Sequence, residues 1–389
     1  MSQNNDSLPL SGVKVLDLSR VLAGPLCTMM LGDLGAEVLK VERPGTGDET
    51  RGWGPPFDER GESAYFLSIN RNKLGATADL TTDEGRQLVR RLIAGADVVV
   101  DNYRRGALAS FGLDPDVIRG ERPELIWLTI SGFGPDSERA GYDVVIQAER
   151  GWMAITGPAD GPPSKVGVAL VDVVSGKDAA IAILAALVRR ATTRVGARLH
   201  VSLAASATAA LVNVAQNALV SGQDAARWGN AHPNLVPYQL FDAADRSLII
   251  AAGNDGQWRA LATTLGLDAL ASDESLATNA GRLASRARVV DAVAARLRMR
   301  PAAEWSALLD AAGVPCGVVR TVREALGSVD ASALTGVAPA VPPGRVRRPP
   351  PRLDEHGKQV LALGWGAFAA VPASGAMVSG DRPGTGHSA

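Results

Sequence analysis

The chain has 389 residues, of which 46% are hydrophobic and 21% are charged, a balance typical of a folded globular protein. Its formal net charge is -1 and aromatic residues make up only 4% of it, so neither phosphate attraction nor base stacking favours binding to nucleic acid. The length predicts two domains, or one elaborated domain.

No apolar run is long enough to span a membrane, and the first ten residues lack the basic and apolar segments of a secretion signal. The two cysteines, Cys27 and Cys316, are far apart in the chain, and neither they nor the scattered histidines have metal-ligand spacing. We therefore expect a cytoplasmic protein without a membrane segment, structural disulfides or a metal site.

Strands alternate with helices in the first third of the chain. Residues 12–19, 36–42, 97–103 and 125–134 are rich in apolar and β-branched residues and predict strands, whereas residues 26–36 and 82–96 predict helices. This alternation predicts an α/β fold with a parallel, Rossmann-like sheet. The turn after the first strand lacks G-x-G-x-x-G, and no P-loop motif occurs, so a usual nicotinamide, flavin or P-loop nucleotide site is disfavoured.

The remaining segments differ in texture. The Ala-rich stretch from Asp178 to Gly222 predicts helix, residues 237–254 predict a hairpin, and residues 256–266 and 302–313 predict helices of a smaller α+β domain. Residues 337–353 are rich in Pro, Val and Arg and predict an extended strap. The predicted domains are 8–222 (large, Rossmann-like), 223–328 (small, α+β), 329–366 (strap and a segment returning to the large domain) and 367–389 (disordered tail).

Asp172 ends the mostly apolar run that begins at Val166, and a long helical pattern follows it. Near a helix N-terminus, backbone N–H groups and the helix dipole favour an ionised carboxylate, which can attack a carbonyl carbon as a nucleophile. The alternative is a structural N-cap, which the local pattern taken alone favours.

Seven segments of the chain, taken in order, together resemble a known protein family. They are residues 20–51, 70–113 and 131–151, the Asp172 segment, residues 229–258 and 312–326, and residues 353–361. Together they resemble the class III (CaiB/BaiF-type) coenzyme A transferases, a family related to α-methylacyl-CoA racemase. The resemblance implies a homodimer of interlocked chains in which the strap wraps the partner. It also implies acyl-CoA and a free carboxylic acid as substrates, with no permanently bound cofactor.

The resemblance assigns a role to each matching position. Asp172 matches the catalytic aspartate, which carries an acyl anhydride and then a CoA thioester. The positions that match coenzyme A contacts are Leu22, Ala23, Arg43, Asn102, Tyr103 and Arg104. Asp101, Tyr103 and Arg105 depart from the family's E-N-F-x-P-G turn, and Ser110 stands at a position that is basic in some members, so phosphate contacts are expected to shift to Arg104 or Arg105. Without the resemblance, a solvated surface arginine is the favoured interpretation of Arg43, and ordinary turn chemistry is the alternative for the other positions.

The substrate acid is expected to contact Tyr142 and three residues of a polar loop, Gly229, Asn230 and His232. This loop suggests a polar or dicarboxylic acid such as succinate, although an ordinary surface loop is the alternative. A racemase needs a proton-transfer group on each face of the α-carbon, and the related racemase has a histidine where this chain has Tyr142. Because tyrosine is a poor base near neutral pH, transfer is favoured over racemisation. A non-catalytic CoA-binding protein is the third hypothesis.

Overall fold

A computed structural model describes residues 8–371 and residue 373. They form two compact units. The first unit takes in the described residues up to Trp152, Lys165–Gln223, and the described residues from Ser328 onward, and the second comprises Met153–Ser164 and Asp224–Gly327.

The strands are β1 Lys14–Asp17, β2 Glu37–Glu42, β3 Lys73–Thr77, β4 Val98–Asp101, β5 Ile126–Ser131, β6 Arg198–Ser202, β7 Tyr238–Asp242, β8 Ser247–Ala251, β9 Cys316–Val318, β10 Ala331–Ser332 and β11 Gly336–Val337. The helices up to residue 221 are α1 Ala23–Asp33, α2 Ala64–Leu67, α3 Asp83–Ala94, α4 Ala107–Ser110, α5 Pro115–Glu121, α6 Asp143–Glu149, α7 Trp152–Ile155, α8 Leu170–Thr193, α9 Leu203–Ala209 and α10 Val212–Ser221. The later helices are α11 Asp255–Thr264, α12 Asp268–Ala271, α13 Asn279–Ala284, α14 Arg286–Leu297, α15 Ala302–Ala311, α16 Val322–Leu326, α17 Gly357–Leu363 and α18 Ala367–Ala370.

The first unit is built on a six-stranded sheet in the order β3-β2-β1-β4-β5-β6, and every neighbouring pair is parallel. In this order the chain first adds strands on one side of β1 and then on the other, so the strand order reverses between β1 and β4. Ligands of such sheets bind outside the carboxyl ends of the strands at that point. The α/β, Rossmann-like prediction is confirmed.

Both faces of the sheet are covered, which explains why its central strands lack a polar face. Val98 and Val100 of β4 pack with α1, α8 and α9 in one apolar cluster, whereas Val99 packs on the opposite face with residues of α3 and α17. All three are fully buried. Burying one such side chain contributes roughly 1.5–3 kcal/mol, so the two clusters fix the sheet and the positions of the turns at its edge.

Some predicted elements were wrong in their bounds. The stretch from Asp178 to Gly222 is not continuous helix, because β6 interrupts it and pairs with β5 as an edge strand. The helix α8 ends at Arg194 in the left-handed conformation, and at Gly196 a side chain would collide with the Leu125 carbonyl oxygen. The chain passes from this close approach into β6. This strand is short and partly polar, and the alanine-rich segments around it favoured a helical prediction. The strand β3 was not predicted as a strand.

The second unit contains the three-stranded antiparallel sheet β7-β8-β9 and its own apolar cluster, in which Trp258 and Trp305 are buried. The predicted hairpin is confirmed. The prediction that residues 8–222 form one domain was wrong for Met153–Ser164. Arg227 explains this, because its guanidinium donates to three carbonyl oxygens of that segment, those of Ala154, Pro158 and Gly161.

The proline-rich segment packs along the first unit of its own chain. Asn72 binds it from several sides: its main-chain N–H donates to the Arg348 carbonyl at 3.0 Å, and its side chain bonds the main chain of Arg345, Arg347 and Arg348. Asp33 binds Arg71 in a bidentate pair with N–O distances of 2.9 and 2.7 Å and also accepts from Asn72.

The predicted tail begins too early. Ala367–Ala370 form α18, and Ala367 is buried in the apolar cluster that contains α3. Residue 372 and residues 374–389 lie outside the described residues.

Replacing Asp33 tests this anchoring. Asp33→Asn leaves Arg71 buried without its partner, since their side chains are only 6% and 5% exposed. We expect a loss of roughly 3–5 kcal/mol of unfolding free energy in a denaturant titration. The control is Asp83→Asn, whose carboxylate is 79% exposed beside Arg86 and whose loss we expect to cost less than about 1 kcal/mol. Equal losses in the two variants would contradict the anchoring role.

Candidate active site

A cleft of about 800 Å³ lies in the first unit, at the carboxyl ends of the sheet strands. It is lined by the turn after β1, the turn after β4, the segment after β5 and the end of β6, together with Asp172. This is the position that the strand order predicts for a ligand, because the chain leaves β1 and β4 toward opposite sides there.

Asp172 lies in the first turn of α8, a helix of 24 residues. The helix begins at Leu170, three residues earlier than the pattern after Asp172 predicted, and its N-cap is Ala169, so Asp172 is not the capping residue. Among the described residues, no hydrogen-bond donor or cation contacts its carboxylate. Burial, and then the charge of Asp143, raise the pKa of Asp172 to about 7.

The expectation that the helix terminus holds Asp172 ionised was therefore wrong, because burial and the charge of Asp143 raise its pKa. The N–H groups of Val171 and Asp172 point to Asp143, whose Oδ1 accepts them at 2.8 and 3.3 Å. Asp143 thus caps α8 from another helix and adds a negative charge beside Asp172. Near neutral pH, Asp172 passes between its protonated and ionised forms.

Asp143 is itself held by a buried amide. Gln147, one helical turn further along α6, donates to Asp143 Oδ2 at 2.6 Å, and its Oε1 accepts from Val166 N at 2.9 Å. The Gln147 side chain is fully buried. This relay fixes the segment that leads to Asp172. The sequence analysis did not assign a role to Asp143 or Gln147; their spacing of four residues, just after Tyr142, is the signal that could have identified the pair.

Tyr65 does not line the cleft, but it feels the charges of Asp172 and Asp143, and the sequence analysis did not single it out. Burial, and then the charges of Asp172 and Asp143, raise the pKa of Tyr65 to about 12, so its phenol stays protonated and lies within reach of their field. Its ring contacts Trp53 edge-on, with centroids 5.1 Å apart. No local pattern marks Tyr65, because α2 is a short helix distant in sequence from Asp172.

The structure brings most of the predicted positions together. The predicted residues that line the cleft are Leu22, Ala23, Asn102, Tyr103, Arg104, Tyr142 and Asp172. Arg43 is not among the lining residues; it is exposed and donates to Thr46 Oγ1 at 2.9 Å, although its charge acts on Tyr103. Arg104 has no ion pair among the described residues, whereas Arg105 lies 3.8 Å from Asp136.

The predicted acid-binding loop belongs to the second unit. His232 Nδ1 accepts from Asn234 N at 3.0 Å, which leaves the proton on Nε2 when the ring is neutral. Arg286 donates to the carbonyl oxygens of His232 and Pro233 at 3.1 and 2.7 Å. Gly229 adopts a φ of +59°, which glycine tolerates without strain. The loop is therefore held in shape by a hydrogen bond within it and by those from Arg286.

Within residues 8–371 and 373, no group of three or more His, Cys, Asp or Glu side chains could hold a metal ion. None of the described helices is by itself long and apolar enough to cross a bilayer; α9 and α10 pass that test only as a pair bent by 71°.

The cleft lies where the strand order of a parallel sheet reverses, and it holds a largely buried carboxylate that has no cationic partner among the described residues. Both features are typical of α/β enzymes. The model of CoA-transferase family III matches residues 10–362, and the chain belongs to this family of CoA-transferases.

The chain is 40% identical over 384 residues to the succinate–glutarate CoA-transferase of Agrobacterium fabrum, an alignment that covers 92% of this chain and 96% of that protein. It is 40% identical over 374 residues to the succinyl-CoA:glutarate CoA-transferase of Mus musculus, covering 91% and 86% of the two chains. The crystal structure of a CaiB/BaiF family protein from Brucella suis matches with a TM-score of 0.83 and 42% identity over 92% of this chain and 99% of that one. The predicted family and enzyme class are confirmed.

Removing the charge of Asp143 should shift the pH dependence of the enzyme. In Asp143→Asn the like charge beside Asp172 is lost, so the pKa of Asp172 falls and its carboxylate stays ionised at lower pH. We expect the acid limb of kcat/KM to move down by about one pH unit. Asp178→Asn, on the same helix but hydrogen-bonded to Ser206, is the control and should leave the limb unchanged. An unmoved limb in Asp143→Asn would contradict the coupling.

Asp172 also opposes folding at alkaline pH. Its pKa is about 7 in the folded chain and near 4 in the unfolded chain, so folding becomes less favourable as pH rises from about 4 to about 7 and stays so above that. Asp172→Asn removes this cost. We expect the Tm of the variant, measured by calorimetry, to be higher than that of the wild type at pH 8 and equal to it below about pH 4. A constant difference at all pH values would show that ionisation of Asp172 is not its cause.

Proposed function

We propose that the enzyme transfers coenzyme A from an acyl-CoA donor to a free carboxylic acid through covalent intermediates on Asp172. The observation that carries this proposal is the environment of Asp172, which lines the cleft with its carboxylate largely buried and without a cationic partner among the described residues. A carboxylate in such a place is destabilised when ionised and therefore reactive toward a carbonyl carbon.

Four substitutions at carbonyl carbons complete the reaction. The Asp172 carboxylate attacks the donor thioester, the C–S bond breaks, and an acyl–aspartyl anhydride and CoA thiolate result. The thiolate attacks the aspartyl carbonyl, which releases the donor acid and leaves an aspartyl–CoA thioester. The acceptor carboxylate attacks this thioester and displaces the thiolate, which then attacks the acceptor carbonyl of the new anhydride. The product acyl-CoA leaves, and the Asp172 carboxylate is restored.

These four steps exchange one thioester for another, so the reaction consumes no ATP and needs no resident cofactor. Both anhydrides hydrolyse if water reaches them, which favours a nucleophile whose carboxylate is largely buried. We assign Tyr65 as a neutral hydrogen-bond donor near the reacting carboxylate, since its raised pKa keeps the phenolic proton in place. The first turn of α1 has no side-chain cap and lines the cleft, so its N–H groups add positive potential there.

Coenzyme A is proposed to lie along the turns after β1 and β4. Leu22 and Ala23 allow the chain to approach the nucleotide closely, and Tyr103 offers an aromatic face. Arg104 lines the cleft without an ion pair among the described residues, which suits a phosphate contact, and Arg43 adds positive charge near Tyr103.

The acid is proposed to be a short dicarboxylate. The relatives from Agrobacterium fabrum and Mus musculus are named for succinate and glutarate. A carboxylate accepts hydrogen bonds, and the Tyr142 phenol, which lines the cleft, is the donor that we assign to it. In the second unit, hydrogen-bond donors of the same kind are the Nε2–H of His232, the Asn230 amide and the Gly229 main chain.

We further propose a cytoplasmic homodimer of interlocked chains in which the strap contacts the partner. None of the residues of α10 is buried, and its apolar residues Val212, Leu219 and Val220 are 69%, 79% and 78% exposed. Ile181 and Val188 of α8 are also exposed, and exposed apolar side chains on helices are of the kind that a partner chain covers.

The proposal is tested by replacing the nucleophile. We expect Asp172→Asn to transfer CoA from succinyl-CoA to glutarate at less than about one thousandth of the wild-type rate, because an amide cannot form the anhydride. The rate is measured by chromatography of the CoA esters. Asp178→Asn, six residues along the same helix, should remain close to wild type.

Substantial transfer by Asp172→Asn would exclude the covalent route. If the wild type gave no transfer with any acid but took up solvent deuterium at the α-carbon of a 2-methylacyl-CoA, the enzyme would be a racemase instead.

A further inference from the structure

The turn that joins β1 to α1 is held by side chains from three other segments. Lys40 Nζ donates to the Ser19 carbonyl at 2.8 Å. Asn102 binds both main-chain groups of Arg20: its Oδ1 accepts from Arg20 N at 2.9 Å, and its Nδ2 donates to Arg20 O at 2.7 Å. The two carboxylate oxygens of Asp48 each lie 3.3 Å from Val21 N. Three successive residues of one turn are thus each tied to a different part of the chain.

Val21, at the centre of this turn, has a φ of +70°. The left-handed region is unfavourable for any side chain and most unfavourable for a β-branched one, so Val21 is strained. Strain of this kind persists only where surrounding contacts impose the conformation. The bonds to Ser19, Arg20 and Val21 are those contacts.

The restraining groups are themselves rigid. The Lys40 and Asp48 side chains are fully buried and form an ion pair at 3.1 Å. Asp48 also accepts from the N–H and hydroxyl of Thr50 at 3.1 and 2.8 Å. On the far side, Gly24 packs so closely on Ser19 that a Cβ at position 24 would collide with the Ser19 side chain. The turn therefore has little room to relax while these contacts hold.

The conformation matters because the turn leads directly into the cleft. Arg20, Val21, Leu22 and Ala23 all line it, and α1 begins there without a side-chain cap. A different φ at Val21 would redirect Leu22 and the first N–H groups of α1 away from the cleft.

We infer that Asn102, with Lys40 and Asp48, is a positioning residue that holds the Ser19–Leu22 turn in a strained conformation required for coenzyme A binding. The inference rests on the proposed function, since it takes the cleft to bind acyl-CoA. It changes the role of Asn102 from a direct coenzyme A contact to a group that acts through Arg20 and Val21. Both ends of its amide are bonded to the Arg20 main chain.

A double-mutant cycle between Asn102 and Val21 separates the two roles. The measurement is the Kd of coenzyme A, by calorimetry, for the full-length enzyme and for Asn102→Ala, Val21→Gly and their combination. We expect Asn102→Ala alone to weaken binding roughly tenfold, in line with two lost hydrogen bonds. Because glycine adopts a left-handed φ without strain, the same replacement in the Val21→Gly background should weaken binding less than about threefold.

Val21→Ala is the matched control. Alanine removes the same methyl groups but keeps the Cβ that makes the left-handed conformation unfavourable, so the roughly tenfold effect of Asn102→Ala should persist in this background. Asn102→Gln, which keeps the acceptor and the donor but displaces both by one methylene group, should give a smaller loss and serves if the alanine variant does not fold.

Equal losses in the wild-type and Val21→Gly backgrounds would overturn the inference, since a direct contact with coenzyme A does not depend on the backbone preference at position 21. Unchanged binding in Asn102→Ala with only a lowered Tm would overturn it too. If the wild type itself did not bind coenzyme A, the proposed function would fail with it. Normal wild-type binding with equal losses contradicts the positioning role alone.

Discussion

The proposed mechanism depends on a carboxylate that ionises in a place that disfavours its charge. Asp172 is largely buried, has Asp143 beside it, and receives no cation or hydrogen-bond donor from the described residues. A surface aspartate would be too well solvated to attack a carbonyl, and one paired with a cation would be too stable. The rest of the first unit supports this arrangement: the sheet sets the cleft, α8 presents Asp172, and α6 supplies Asp143 to cap α8 in its place.

Other buried carboxylates of the same unit are paired with cations and stabilise the fold. Burial by itself would raise the pKa of Asp17, yet Lys73 and Lys40, together with hydrogen bonds from Ser19 and Thr28, hold it well below its usual range. Asp48 likewise has Lys40 as its partner. These paired groups stabilise the turns at the sheet edge. Asp172 lacks such a partner among the described residues, which is the physical difference between a carboxylate that holds the fold and one that is available for chemistry.

Much of the fold could be predicted because its signals are local. Apolar β-branched runs predicted β1, β2, β4 and β5, and the Thr-Asp-Glu start predicted α3, whose cap is indeed Thr82. The edge strand β6 was not predicted, because its alternate residues are polar and alanine-rich helices flank it. The site was predicted only where a motif marked it. Asp143 and Tyr65 come close to Asp172 through tertiary packing, and the strain at Val21 arises from bonds to residues up to 82 positions away, which no local pattern records.

The central claim is that Asp172 becomes covalently modified. The most direct measurement is to incubate the enzyme with succinyl-CoA, and separately with acetyl-CoA, add hydroxylamine, and map the modified peptide by mass spectrometry. Hydroxylamine converts either an aspartyl anhydride or an aspartyl thioester into a stable hydroxamate. The account predicts a hydroxamate at Asp172 with at least one donor. Ongoing CoA transfer without any modification of Asp172, or with modification at another residue, would contradict it.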